Sequence, residues 1–265
     1  MFKNNMKGLL LCGASLVTCG TAHAAGTEAG TSIANTASVS YSVGGNTVSA
    51  NSNTATFLVD KKVSLTVTGG VVTQTAIGTS DQVTAFQVTN LTNAVQDFRL
   101  TIDQQSLSVP ILGIDNFDVA NMRVFVDSNG NGTYEAGTDT ATYIDELTPD
   151  TSVTVFIVSN IPNTPGADVA FVSLSAQVAA GGQGGTQGTA LVATSLLQGD
   201  SPSTVDVVFA DTAGVWDAAR DGIGRAFNAY KISTAAVSMT KSATIISDPV
   251  NLLLNPHAIP GAIIQ

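Results

Sequence analysis

Thr84-Ala85-Phe86-Gln87-Val88-Thr89-Asn90, the polar turn Leu91-Thr92-Asn93, and then Asp97-Phe98-Arg99-Leu100-Thr101-Ile102 is the passage that decides the fold. Apolar and polar residues alternate with period two on both sides of the turn. That period places one row of side chains on a core face and the other in solvent, which is the pattern of paired β-strands. The same pattern extends outward. Thr36–Val43 and Thr47–Ala50 flank Gly44-Gly45-Asn46 and read as a hairpin. Asn53–Val59 and Val63–Thr68 read as strands on either side of a charged bend, Asp60-Lys61-Lys62.

Met122–Val126, Ser152–Val158 and Val169–Ala179 read as buried strands, and Val205–Phe209 and Tyr230–Met239 as further ones. Gly181-Gly182-Gln183-Gly184-Gly185 reads as a flexible loop. Only Trp216–Phe227 suggests a helical turn or two. No βαβ rhythm occurs, so Rossmann and TIM architectures are excluded. Short strands at this spacing predict an all-β, immunoglobulin-like or Greek-key β-sandwich with an N-terminal β-hairpin.

Residues 1–24 read as a secretory signal peptide: Lys3 and Lys7, an apolar run over Gly8–Gly20, and Ala22-His23-Ala24 as the small-x-small cleavage pattern. Cleavage removes both cysteines and leaves eight basic residues against 20 acidic ones. That balance speaks against nucleic acid and anionic membrane surfaces, which need basic patches. An exported chain without cysteine is held together by sheet packing, without disulfides. The expected organisation is a signal peptide at 1–24, a hairpin segment at 25–59, and a sandwich at 60–238 elaborated over 181–238. Residues 239–265 are expected to open a further module that continues beyond Gln265.

Three passages resemble the bacterial exported and cell-surface proteins built from tandem "domain of unknown function eleven" modules. They are Asn35-Thr36-Ala37 through Thr54-Ala55-Thr56-Phe57 into Asp60-Lys61-Lys62-Val63; Phe86–Asn90 with Gln96-Asp97-Phe98; and Met239-Thr240-Lys241-Ser242-Ala243 with Asn255-Pro256 and Ala258–Gly261 behind it. The resemblance implies immunoglobulin-like repeats that serve as stalks or adhesive spacers.

Asp127-Ser128-Asn129-Gly130-Asn131-Gly132-Thr133-Tyr134-Glu135 carries the sharpest chemical pattern. Asp127, Asn129 and Asn131 put oxygen side chains at alternate positions ahead of a glycine, as in the first half of a calcium loop. The Thr133 carbonyl and the Glu135 carboxylate extend the series. Thr138 stands where an EF-hand needs its bidentate glutamate, Asp139 falls one residue late, and a strand rather than a helix precedes the loop. The candidate ligands are therefore Asp127, Asn129, Asn131, Thr133, Glu135 and Asp139, with calcium as the ion. The competing reading is turn chemistry that needs no ion.

A second acidic group, Asp206, Asp211, Asp217 and Asp221 with Arg220 and Arg225, reads as solvated loop charge ahead of an ion site. Trp216, the single tryptophan, reads as a hydrophobic plug beneath its loop ahead of a sugar-stacking residue. His257 is the one histidine left after cleavage, clustered His and Cys for zinc are lacking, and the glycine run has no P-loop lysine. The expected function is non-enzymatic: an exported, extracellular or cell-surface structural or adhesion module, with neighbouring repeats, surface proteins or glycans as partners. The alternatives are a carbohydrate- or ligand-binding module, a surface-layer or filament subunit joined through the hairpin, and a hydrolase with a carboxylate pair.

Overall fold

The computed structural model describes residues 26–106, 109, 111–214, 216–233 and 241–265. The chain divides into two compact units, the second formed by residues 233–265. The first begins with a two-stranded ribbon. Its base pairs β1 (Ser32–Asn35) with β4 (Ala55–Leu58), and its outer part pairs β2 (Ser38–Val43) with β3 (Asn46–Asn51). The short strand β5 (Lys61–Val63) follows. Two sheets then pack face to face.

The four-stranded sheet runs in the order β10 (Ala120–Val126), β12 (Ser152–Asn160), β8 (Gln82–Asn90), β6 (Leu65–Thr68). The five-stranded sheet runs β11 (Tyr143–Leu147), β9 (Gln96–Gln105), β13 (Val169–Ala180), β15 (Ile223–Ile232), β7 (Val72–Thr75). This is an immunoglobulin-type Greek key: β6, β8, β12 and β10 take the places of strands A, B, E and D, and β9, β13 and β15 those of C, F and G. Strand β7 closes the second sheet by pairing in parallel with the last strand, from Val72 opposite Ala229 to Thr75 opposite Ile232.

The core lies where the two sheets face each other. Phe86 and Val88 of β8 and Val155 and Ile157 of β12 meet Phe98 of β9, Val172 and Leu174 of β13 and Tyr230 of β15, all buried. Each apolar side chain of this size removed from water contributes about 1.5–3 kcal/mol before the entropy of ordering is counted. The outer face of β13 is also covered: Val169 and Phe171, with Ala229, pack against Val72, Val109 and Leu112. Strand β13 is therefore apolar on both faces from Val169 to Val172, while its outer row turns polar beyond, at Ser173, Ser175 and Gln177.

Two local expectations are corrected, and a third element, the expected polar turn, is found buried. Lys61-Lys62-Val63 is strand β5, not a bend; it pairs in parallel with β14 (Val207–Phe209) of the long insertion between β13 and β15. Trp216–Phe227 forms no helix, and its second half belongs to β15. Gly224 fits closely there: a Cβ would stand 3.0 Å from Val67 Cγ2 and 3.3 Å from Leu65 Cγ, so β6 occupies the space that an alternating apolar residue would otherwise claim. Leu91-Thr92-Asn93 is a turn but not an exposed one. Asn90 and Thr92 are fully buried and Asn93 nearly so. Asn90 Nδ2 donates to the carbonyls of Ala94 (3.0 Å) and Leu147 (2.8 Å), and Asn93 Nδ2 to those of Thr27 (3.0 Å) and Asp60 (2.9 Å). The expected strand Tyr230–Met239 ends at Ile232, and residues 234–240 lie outside the described residues, as do residues 1–25 with the signal peptide.

The second unit pairs β16 (Ile245–Ser247) with β17 (Ile263–Ile264). Its organising group is Asp248, whose carboxylate accepts from the backbone N–H groups of Asn251 (2.6 Å), His257 (2.6 Å) and Val250 (2.7 Å). These donors hold its carboxyl down at about 2.

Candidate functional site

The Asp127 loop leaves the end of β10 and is pinned to the four-stranded sheet by aromatic contacts. Tyr134 stacks on Phe125 at 5.3 Å between ring centroids and meets Phe156 edge-on at 5.9 Å. Asp127 and Asp139 are buried, 5 % and 1 % exposed. Asp127 Oδ1 accepts from the N–H groups of Gly130 (2.8 Å) and Asn131 (3.3 Å), and its Oδ2 from Gly132 (2.7 Å). Asp139 accepts from Ser128 N–H (2.9 Å) and Glu135 N–H (2.8 Å). The two amides, Asn129 and Asn131, donate their Nδ2 groups to Glu135 Oε2 at 2.6 and 3.0 Å. Their Oδ1 atoms accept from Asn131 N–H (3.1 Å) and Thr133 N–H (2.8 Å).

All six candidate ligand residues thus belong to one closed hydrogen-bonded loop. The oxygen set, three carboxylates, two amide oxygens and a peptide carbonyl, is the hard donor set that calcium takes. In the arrangement seen, the aspartates cap backbone donors and the amides face Glu135 with nitrogen. Cation binding requires those two amides to turn over and give up two backbone hydrogen bonds.

The glycine run 181–185 has a role that composition alone hides. Gly182 N–H and Gln183 N–H donate to Glu146 Oε1, Gly185 N–H to Asp145 Oδ2 (2.8 Å), and Gly188 N–H to Asp97 Oδ2 (2.8 Å). Asp97, wholly buried, also accepts from Glu146 N–H at 2.9 Å through Oδ1. The loop expected to be flexible is an anchored cradle of backbone donors around three carboxylates that come within 4.8 Å of one another. Burial first, then the Asp145 and Asp97 charges, push the Tyr143 phenol above its ordinary range.

The second acidic group separates. Asp211 is buried and accepts from Gly222 N–H (3.1 Å) and Asp221 N–H (3.2 Å), closing the turn into β15. Asp217 beside it is pushed up by partial burial and the Asp221 charge, with Arg225 pulling the other way. Asp206 instead joins Asp60 and Asp200, which sequence spacing does not link because Asp60 lies far upstream of the other two; Asp206 N–H donates to Asp60 Oδ1 at 2.9 Å. These three border a cleft of about 660 Å³ lined also by Thr194, Leu196, Phe209 and Arg220. Trp216 is not a buried plug: it is 60 % exposed and rests edge-on against Phe227 at 5.5 Å, while Tyr230 is fully buried.

No protein-family model matches the chain, and no curated protein is detectably similar to it.

Proposed function

We propose that this chain is a non-enzymatic, exported structural module of a bacterial surface or extracellular protein, built to transmit tension along a tandem array. The observation that carries the reading is the parallel pairing of β7, at the start of the sandwich, with β15, its last strand. A chain pulled apart from the two ends of the sandwich loads this pair in shear, so its four residue pairs must give way together. An antiparallel hairpin pulled from its open end parts one pair at a time. The trailing end of β15 is fastened as well: Lys231 pairs with Asp168, and Ile232 N–H donates to the Asp168 carbonyl at 2.8 Å. The use of buried carboxylates and amides supports the same reading, since Asp97, Asp127, Asp139, Asp211, Asn90 and Asn93 are engaged with backbone groups.

The resemblance to tandem "domain of unknown function eleven" proteins, the leader at 1–24 and the expectation of a further module from 239 agree with this role. Calcium at the Asp127 loop would stiffen the connection from β10 to β11. The reading is tested by pulling the sandwich along and across its strands: resistance greater along the β7–β15 direction supports it, and equal resistance counts against it.

A second reading, a glycan- or ligand-binding module, is favoured by the exposed Trp216 and by the cleft at Asp60, Asp200 and Asp206. Because Trp216 is the only tryptophan, a glycan titration that quenches intrinsic fluorescence would support that reading, and a flat titration would remove it.

A further inference from the structure

The outer ribbon β2–β3 is amphipathic without having anything to cover it among the described residues. Every residue of both strands is exposed. Directly opposed residues share a face, so the register places Val39 with Ala50, Tyr41 with Val48, and Val43 with Asn46 on one side. Ser38 with Asn51, Ser40 with Ser49, and Ser42 with Thr47 form the other, where Ser40 and Ser49 hydroxyls meet at 2.8 Å. Val39, Tyr41, Val43 and Val48 are 48, 52, 60 and 40 % exposed. A free two-stranded hairpin is marginal in water, and stability comes with further strands and a covered apolar face.

Charge narrows what covers it. From Ala29 to Val59 there is no Asp, Glu, Lys, Arg or His, and no proline, in a chain that otherwise carries 20 acidic and 10 basic residues. Charged side chains and proline are the usual means of keeping exposed strands apart, and this ribbon has neither. A charged partner finds nothing to complement here. A second copy of an acidic protein finds a long surface where its own charge does not repel it. The apolar face is also self-complementary: Tyr41–Val48 lies at its centre with Val39 and Val43 one pleat to either side. A twofold axis through the central pair sets Val39 of one chain against Val43 of the other, as an isologous contact requires.

We propose that the β2–β3 ribbon is a homotypic interface, in which the Val39-Tyr41-Val43 face stacks on the same face of a second copy. The face offers three cross-strand pairs, against the roughly 20–30 residues a side of a standard stable complex, so the association is reversible and concentration-dependent. It does not rest on the mechanical or calcium readings.

The test uses the chain from Ala25, in chelator, by sedimentation equilibrium from about 1 μM to about 1 mM, the range in which contacts of this size operate. Weight-average mass rises toward twice the monomer value and returns to the monomer value in the double variant Val39→Lys/Val43→Lys, whose substituted positions are exposed. Both native cysteines lie within residues 1–24, so Tyr41→Cys reports contact directly. Under mild oxidation it forms a disulfide-linked dimer, whereas Ser40→Cys on the opposite face does not. Monomer at every concentration, association unaffected by the lysine pair, or equal cross-linking by both cysteine variants would each overturn the proposal.

Discussion

Replacing Asp97 by asparagine separates a structural carboxylate from an incidental one. Asp97 is wholly buried, and its two oxygens each accept one backbone N–H, from Glu146 at 2.9 Å and Gly188 at 2.8 Å. The substituted amide keeps one acceptor and turns an NH2 toward the second donor. Losing one charge-assisted bond costs about 1.5–3 kcal/mol, and an orphaned buried N–H adds to that. Against this stands relief of repulsion with Asp145, which is exposed, and Glu146, which is half-exposed; solvent screening holds pairs of exposed charges to about 1 kcal/mol or less. The hydrogen-bond loss wins, and Asp97→Asn is expected to destabilise by about 2 kcal/mol. Asp97→Ala, which orphans both donors, reaches about 3–5 kcal/mol. Urea denaturation measures the size of the loss, and amide exchange at Gly182–Gly188 measures its place, because the cradle should open before the sheets do. A loss below about 0.5 kcal/mol in Asp97→Asn, or unchanged exchange in the glycine run, would refute the anchoring argument.

Three further outcomes follow from the same geometry. Tyr230 is buried with its hydroxyl 3.1 Å from the Ile157 carbonyl and 3.2 Å from that of Gln82, and burial pushes its phenol up to about 12. Tyr230→Phe should cost about 1–2 kcal/mol in urea denaturation. Because the folded state keeps the proton that the unfolded chain releases, the Tyr230 phenol should also make wild-type stability fall as pH rises from about 10 to about 12, by up to about 2–3 kcal/mol, and Tyr230→Phe should reduce the fall to the smaller part that the raised Tyr143 phenol contributes. Gly188→Ala places a Cβ 1.8 Å from the Ala180 carbonyl oxygen; it should destabilise by more than about 2 kcal/mol, and a neutral melt would contradict the close approach. For calcium, Asp127 is a poor probe because its caps on Gly130, Asn131 and Gly132 operate without any ion. The exposed Glu135 is the better one: Glu135→Gln should barely change the melt in chelator and should abolish a calcium-induced rise. Absence of any such rise in the wild-type chain would leave the loop to turn chemistry.

Strands β8, β9, β12 and β13 were legible because their core rows are apolar at every second position or throughout. Strand β15 was not, because its inward positions include Gly224, Ala226 and Asn228, sized to fit side chains from β6 and to reach other strands. Asn228 Oδ1 accepts from Val71 N–H (3.0 Å) while its Nδ2 donates to Thr84 Oγ1 and the Ala85 carbonyl (both 2.8 Å), a role no local pattern announces. Strand β7 is four residues long and depends on a partner at the far end of the sandwich sequence, Ala229–Ile232. The Asp127 loop was legible as a unit because its candidate residues all fall within the short stretch from Asp127 to Asp139. The Asp60–Asp200–Asp206 group and the Asp97–Asp145–Glu146 cradle were not, since only the folded sheet brings their members together.

The central claim is that the β7–β15 pair resists tension along the array. It is tested most directly by single-molecule pulling with handles on paired cysteines, which are unique in a chain beginning at Ala25. Handles at Val71→Cys and Ser233→Cys shear β7 against β15, whereas handles at Ser106→Cys and Thr164→Cys peel β9 from β13. The account predicts a clearly higher unfolding force in the first geometry at the same loading rate. Equal forces, or a weaker first geometry, would contradict it.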